Sequence, residues 1–240
     1  MKEKKQNLHN HTIYSDGSFS WEQLVREAEK CDIGLLGISD HFFTSKVYHN
    51  ISPSEWLSQK IPEYQALAED IRAYSSGNSG YNGNIRKTKV LIGIEIDTVV
   101  SRTGLNIPDL PWSFINSLDY VLFEYLGEDD IRGTRLHEAK LIAEFCSIPK
   151  IIAHPNLDRL DCFYGIKACF DFLAEHGFAV EIPSGSRNDW FWNRFDPQLL
   201  KNMVLSIGTD THEKLSEAGN INRALKFIED NNLTENLIDL

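Results

Sequence analysis

Two short stretches at opposite ends of the chain carry side chains suited to holding a metal ion. His9-Asn10-His11-Thr12 lies near the start, with Tyr14-Ser15-Asp16-Gly17 just behind it, and Gly208-Thr209-Asp210-Thr211-His212 lies near the end. Each places two donors at i and i+2, and on a β-strand residues two apart point to the same face. His9 with His11 and Asp210 with His212 are therefore expected to face one place, provided the fold sets the first strand beside the last.

The elements that would position them follow from the apolar pattern. Seven strand-like segments are expected: Gln6–His11, Gly34–His41, Lys89–Val99, Asp119–Leu126, Pro149–His154, Ala179–Pro183 and Met203–Asp210. Several are near-continuous apolar runs, such as Val90-Leu91-Ile92-Gly93-Ile94, which suit parallel strands buried on both faces. Between them lie helical patterns. Ser20-Trp21-Glu22-Gln23 reads as a capping box opening a helix towards Lys30. Trp56–Tyr74 is helical in period, with Pro62 expected to kink or divide it. Thr134–Cys146, Phe163–His176 and Asn222–Asp230 follow, and Asp196-Pro197 suits the start of a short helix. Ser75–Asn84, rich in Ser, Gly and Asn, is expected to be a surface loop. Strand and helix alternate about seven times, which argues for an α/β fold with a parallel sheet. A closed or distorted (β/α) barrel is the first expectation and an open doubly wound sheet the second.

Nearly every expected strand ends in a His or a carboxylate. The first ends in His9 and His11, the second in Asp40-His41, the third carries Glu95 and Asp97, and the fourth Glu124. The fifth ends in His154, the sixth at Glu181, the seventh in Asp210 with His212 behind it. In α/β barrels that end builds the active site. A carboxylate inside an apolar strand is costly unless paired or metal-bound, and Glu95 between Ile94 and Ile96 is the clearest case. Mixed His and carboxylate donors suit Zn, Mn or Fe over Ca or Mg. The donors outnumber what one ion needs, so two or three divalent ions are expected. His49, His137 and His176 fall on loop or helix segments and read as solvated.

At 240 residues the chain fits one barrel domain over residues 1–240. Its 42% hydrophobic and 25% charged content is ordinary for a globular protein. A net charge of −11 disfavours stable nucleic-acid binding by phosphate neutralisation, but not a small phosphorylated substrate. The four cysteines, Cys31, Cys146, Cys162 and Cys169, form no CxxC pair and read as reduced packing residues. No apolar stretch approaches the roughly 18 residues of a membrane span, and the first residues do not lead into a signal-peptide core, so a cytoplasmic location is expected. Oligomeric state is left open.

At these residues the chain resembles the PHP (polymerase and histidinol phosphatase) family over almost its full length. His9-Asn10-His11-Thr12 with Tyr14-Ser15-Asp16-Gly17 looks like its first motif, and Ile38-Ser39-Asp40-His41 like its second. Gly93-Ile94-Glu95 resembles the segment holding its bridging glutamate. Ile152-Ala153-His154-Pro155 and Gly208-Thr209-Asp210-Thr211-His212 look like the later motifs. The resemblance implies a distorted seven-stranded (β/α) barrel with up to three metal ions at its C-terminal mouth. It implies that His9, His11, Glu95 and Asp210 hold one ion, that Glu95 and His154 share a second, and that Asp16, His41 and His212 hold a third. One departure stands out. The family's fourth strand usually ends in a Ser-x-His-like segment whose histidine serves the second ion, whereas Asp119-Tyr120-Val121-Leu122-Phe123-Glu124-Tyr125-Leu126 has none. Either Glu124 replaces it or the second site is weak or empty; a carboxylate amid apolar residues favours the replacement.

The implied chemistry is metal-dependent phosphoester hydrolysis, with a hydroxide bridging two ions as nucleophile. Histidinol phosphate and nucleotide phosphates are candidate substrates. Phosphate oxygens favour a nearby arginine, and Arg187, after the sixth strand, is the first candidate, ahead of Arg132 and Arg135. Asp40 and His212 are candidates to supply the leaving-group proton. The aromatic run in Asp189-Trp190-Phe191-Trp192-Asn193 suits either loop packing or stacking on a ring. Two alternatives remain: an amidohydrolase-type C–N or C–O hydrolase, disfavoured because no lysine ends a strand, and a non-catalytic or regulatory PHP module.

Overall fold

The computed structural model describes residues 5–42, 52–76, 88–126, 136–157, 165–185 and 196–240. Seven strands follow one another in sequence order around one sheet: β1 (Gln6–Asn7), β2 (Leu35–Ile38), β3 (Lys89–Asp97), β4 (Tyr120–Glu124), β5 (Lys150–Ile152), β6 (Phe178–Pro183) and β7 (Val204–Gly208). Each pairs with the next in parallel. The sheet curls until its ends meet. Leu8 N donates to Ile207 O at 2.8 Å, and Asp210 N donates to His9 O at 2.9 Å. At the other end of that seam the C-terminal segment fills in, with Ile238 N donating to Leu205 O at 2.8 Å. The architecture is a nearly closed, distorted seven-stranded (β/α) barrel.

The pleat explains why β3 reads as an uninterrupted apolar run. Val90, Ile92, Ile94 and Ile96 face the helix layer, while Leu91 points into the barrel with Leu8, Leu35, Tyr120, Leu122 and Ile151. The same alternation carries the inner face from Leu91 through Gly93 to Glu95 and Asp97. It does the same on β4, from Tyr120 through Leu122 to Glu124, and on β6, from Ala179 to Glu181. The barrel interior is thus apolar at its floor and ionisable at its mouth.

Tyr120 builds much of that floor. Its hydroxyl donates to Leu8 O at 2.7 Å across the barrel. Its ring passes so close to Gly37 and Gly93 that a Cβ at either position would collide with it. Helices cover the outside: α1 (Trp21–Lys30), α2 (Pro53–Ser75), α3 (Ala139–Phe145), α4 (Ile166–Glu175) and α5 (Asn222–Asp230). In α1, Gln23 Oε1 accepts from Ser20 N at 2.9 Å, which is the reciprocal half of the expected capping box. No helix among the described residues is long and apolar enough to cross a membrane.

The structure differs from the sequence expectations in two respects. Pro62 does not divide α2, which runs unbroken from Pro53 to Ser75. Proline removes one backbone donor, but buried Trp56 before it and buried Tyr64, Ala68 and Ile71 after it hold the helix against the barrel, and Tyr64 Oη donates to Gly93 O at 2.6 Å. Most strands also stop earlier than expected. Tyr125, His154 and Asp210 have φ of 61°, 26° and 53°, in the left-handed region, and a chain there leaves the pleat. The segment Asp196-Pro197 opens a 3-10 turn (Pro197–Leu200), with Asp196 Oδ1 accepting from Gln198 N at 2.9 Å. The Ser75–Asn84 loop beyond residue 76, and the first residues of the helices expected from Thr134 and Phe163, lie outside the described residues.

Gly93→Ala is expected to cost about 1–3 kcal/mol, because the added methyl must displace a packed ring. The check is a urea midpoint. An unchanged midpoint would mean that Tyr120 does not occupy the barrel axis.

Candidate metal centre

His9, His11, Asp16, His41, Glu95, Glu124, His154, Asp210 and His212 all converge on the C-terminal mouth. His9, His11, Glu95 and Asp210 are closest together. His9 Nε2 lies 3.0 Å from His11 Nε2, 3.3 Å from Glu95 Oε1 and 3.4 Å from Asp210 Oδ1. His11 Nε2 lies 3.4 Å from Glu95 Oε2 and 3.2 Å from Asp210 Oδ1. Donors on a tetrahedral ion with ligand bonds near 2.0–2.1 Å stand about 3.3 Å apart, so the Nε2 atoms of His9 and His11 already keep a metal's spacing from each other, from Glu95 and from Asp210.

Two further groups share these residues. Glu95 Oε1 is 3.2 Å from His154 Nε2, and Glu95 Oε2 is 2.9 Å from His41 Nδ1. Glu124 Oε1 lies 3.7 Å from the same His41 nitrogen, so Glu95, His41 and Glu124 form a compact donor set. On the outer side, Asp16 approaches His212 Nε2 at 3.3 Å, and His41 Nε2 and His11 Nδ1 each at 3.7 Å. The implied partition places His41 with Asp16 and His212. The geometry sets its ring between that group and Glu95–Glu124.

The chemistry of the donors fits cations. Two imidazole nitrogens facing each other at 3.0 Å repel unless a proton or a metal lies between them. His11 Nδ1 is buried with no hydrogen bond among the described residues, a costly state for a polar atom. The ion-pair partners of Glu95 and Asp210 are histidines among the described residues.

Local structure explains the convergence. Glu95 and Glu124 lie on the inward-facing rows of β3 and β4, with Leu122 opposite Glu95 and Asp97 opposite Glu124. The first motif is held by a buried polar web: Asn7 Nδ2 donates to Asn10 Oδ1 at 2.9 Å and to Thr209 Oγ1 at 2.8 Å, and Asn10 Nδ2 donates to Gly37 O at 3.0 Å. Asp40 ties down the following loop. Its carboxylate accepts from Thr12 N at 2.7 Å, Thr12 Oγ1 at 2.8 Å and Ser15 Oγ at 2.7 Å, and it is fully buried. A cavity of about 420 Å³ opens above the donors, lined by Asp16, His41, Glu124, Tyr125, His154, Asp210, His212 and Glu213. Asp40 is not part of that lining.

Several residues reach the site without having been assigned a role from sequence. Glu181 binds His9 Nδ1 at 3.0 Å. Its signal was present, a carboxylate between Val180 and Ile182, and matches that of Glu95. Tyr125 lines the cavity beneath Arg102, whose guanidinium carbon sits 4.1 Å from the ring centre while Nε lies 3.2 Å from Asp97 Oδ2. Arg187, Arg132, Arg135, His49 and the Asp189–Asn193 run lie outside the described residues, as does the side chain of His137. His176 is away from the mouth, stacked on Phe172 with Nδ1 2.9 Å from Phe172 O.

The charges set the protonation of the cluster. Burial alone would lower His9, but Glu181, Glu95 and Asp210 outweigh it and raise its pKa well above the ordinary value. Burial likewise opposes protonation of His154, yet its bond to Glu95 and the surrounding carboxylates lift it to about 9. Burial and the neighbouring His41 push His11 down to about 3. Burial would raise Glu95 and Asp210, but the nearby His9 holds both well below the usual carboxylate range.

A metal needs neutral imidazole, so loading must expel the protons of His9 and His154. Adding Zn²⁺ to metal-free protein at pH 7 in weak buffer is expected to acidify the solution. Apparent affinity should rise with pH until His154 deprotonates near 9. In the metal-free protein the sign for stability is opposite. A histidine raised on folding contributes fully below its unfolded value of about 6.5. That contribution is lost as pH rises through about 9. Metal uptake without proton release would contradict this charge state.

The profile of the PHP domain family matches residues 7–144, more than half of the chain. No curated protein sequence matches it. Among solved structures, histidinol phosphate phosphatase from Lactococcus lactis subsp. lactis Il1403, complexed with zinc, L-histidinol and phosphate, is similar in fold. It aligns with a TM-score of 0.51 at 18% identity, over 99% of this chain and 95% of that one. With the barrel, the buried donor clusters and the family profile in agreement, the chain belongs to the PHP domain family.

Proposed function

We propose that the protein is a metal-dependent phosphoesterase that hydrolyses a small phosphate monoester. The observation that carries this is the donor-lined cavity of about 420 Å³. Asp16, Glu124, Asp210 and Glu213 make its wall strongly negative, and such a wall repels a phosphate dianion unless cations are held there. The same carboxylates and histidines are spaced to hold those cations, so metal and phosphate form one coherent reading.

His9, His11, Glu95 and Asp210 would hold one ion; Glu95, His154 and Glu124 a second; and Asp16, His41 and His212 a third. His41 is also within reach of the second. Bound there, Zn, Mn or Fe would supply a water-derived nucleophile at neutral pH and would neutralise charge on the transferring phosphoryl group. The protein's own groups orient and exclude. Tyr120 and its apolar neighbours close the barrel below the site, leaving the mouth as the open side among the described residues. Asp40, already accepting from three donors, is assigned to holding the Thr12–Ser15 loop rather than to proton transfer. His212 has Nδ1 3.0 Å from Asp210 O, so Nε2, facing Asp16, is its one nitrogen for further use. That nitrogen can serve a metal or a leaving group, not both, and the surrounding donors favour the metal. Arg187 remains the candidate for contacting phosphate oxygens. Histidinol phosphate is a reasonable first substrate, because the similar zinc-bound structure contains histidinol and phosphate, and nucleoside monophosphates are the next class.

The test is phosphate release from a panel of phosphomonoesters. Turnover should vanish on chelation and return with Mn²⁺ or Zn²⁺; metal-loaded protein that turns over no monoester would sink the reading. Glu124→Ala should lower metal stoichiometry and activity together. Asp40→Asn should instead lower thermal stability by weakening the loop, with less effect on the chemistry of the remaining folded protein. Arg187→Ala should raise KM by about tenfold or more, the scale of one charge-assisted contact.

A further inference from the structure

We propose that Glu181 is a positioning residue that sets the geometry of two metal centres at once. The proposal rests on the metal-binding reading above and adds a residue outside the donor sets. Glu181 is 1% exposed and sits on the inner face of β6. Oε1 accepts from His9 Nδ1 at 3.0 Å. Oε2 accepts from the backbone N–H of His154. One carboxylate therefore grips a side chain of the first centre and the main chain of the second.

Each grip has a consequence. With Nδ1–H committed to Glu181, His9 holds the tautomer whose lone pair is on Nε2, and that atom faces Glu95, His11 and Asp210. The second grip acts where the backbone is strained. His154 has φ of 26°, a conformation that a residue keeps only when its surroundings over-determine it. The bond from its N–H to Glu181 is such a restraint, and it aims Nε2 at Glu95.

The space for this arrangement comes from β7. A Cβ at Gly208 would overlap Glu181 Oε1 and crowd His9 Cβ. Gly208 is therefore small for the sake of its neighbours. A buried carboxylate without a Lys or Arg partner among the described residues would be a liability in a purely structural role. Here its two acceptor oxygens match two donors.

Four variants separate the possibilities. Glu181→Met keeps the volume and removes both acceptors. Glu181→Gln keeps one acceptor for His9 but turns an amide donor towards the His154 N–H. Gly208→Ala leaves Glu181 in the sequence and displaces its carboxylate. Lys226→Ala, on the surface of α5, is the control. Full-length metal-free proteins are titrated with Zn²⁺ against a chromophoric chelator, metal content is measured by elemental analysis, and folding is followed by circular dichroism. Glu181→Met and Gly208→Ala are expected to weaken Zn²⁺ binding about 10–100-fold while folded, the usual effect of losing such a partner. Glu181→Gln should fall between wild type and Glu181→Met. Folded Glu181→Met that binds Zn²⁺ like wild type would overturn the proposal. If Glu181→Met does not fold, normal Zn²⁺ affinity in folded Glu181→Gln and Gly208→Ala would overturn it equally. Wild-type protein that binds no metal would instead overturn the metal-centre reading itself.

Discussion

Carboxylates buried together at the mouth of a barrel govern the rest of this structure. Glu95 is fully enclosed near the end of β3, Glu124 lies buried beside it on β4, and half-buried Asp210, just beyond β7, closes the ring. Buried carboxylates are tolerated only against positive charge or strong donors. Among the described residues, five histidines, His9, His11, His41, His154 and His212, stand against Glu95 and Asp210. Histidine is the choice that fits exchange, because it can give up its proton to a cation and remain a ligand.

That choice shapes the scaffold. The apolar floor built around Tyr120 closes the barrel beneath the carboxylates. The glycines at 37, 93 and 208 are positions where a side chain would intrude on a group the site needs. Left-handed backbone at Tyr125, His154 and Asp210 marks where strands leave the pleat so that side chains can turn inward. Such conformations cost of order 1–3 kcal/mol each, and their placement at a single rim is what a functional site would predict. Asp40 and the Asn7–Asn10–Thr209 web give the first motif its shape.

The anion-repelling wall of the cavity also limits what the site can accept. On the proposed reading, a phosphorylated ligand would enter only once cations had balanced that wall. Metal loading and substrate binding would thereby be linked through one electrostatic condition. The same condition makes the metal-free protein a different electrostatic object, with protons on His9 and His154 standing where cations would be.

The sequence by itself determined the number of strands, their parallel order and which end of them carries chemistry. Two-sided burial forces continuous apolar runs, and a carboxylate inside such a run is visible by inspection. It also singled out Glu95, His154 and the paired donors at the chain ends. Only the tertiary structure decided how the donors are shared. His41 stands between two groups because β2 and β3 meet at an isolated bridge pairing His41 with Glu95, a through-space relation absent from local spacing. The roles of Glu181 and Gly208 were hidden for the same reason: the carboxylate resembles Glu95 in its strand, and the glycine resembles any other. One faces histidines as a partner and the other simply makes room, and that distinction arises where β6, β7 and the first strand close together. Pro62 was misleading in the opposite sense, since a local breaker was overridden by the packing of Tyr64, Ala68 and Ile71.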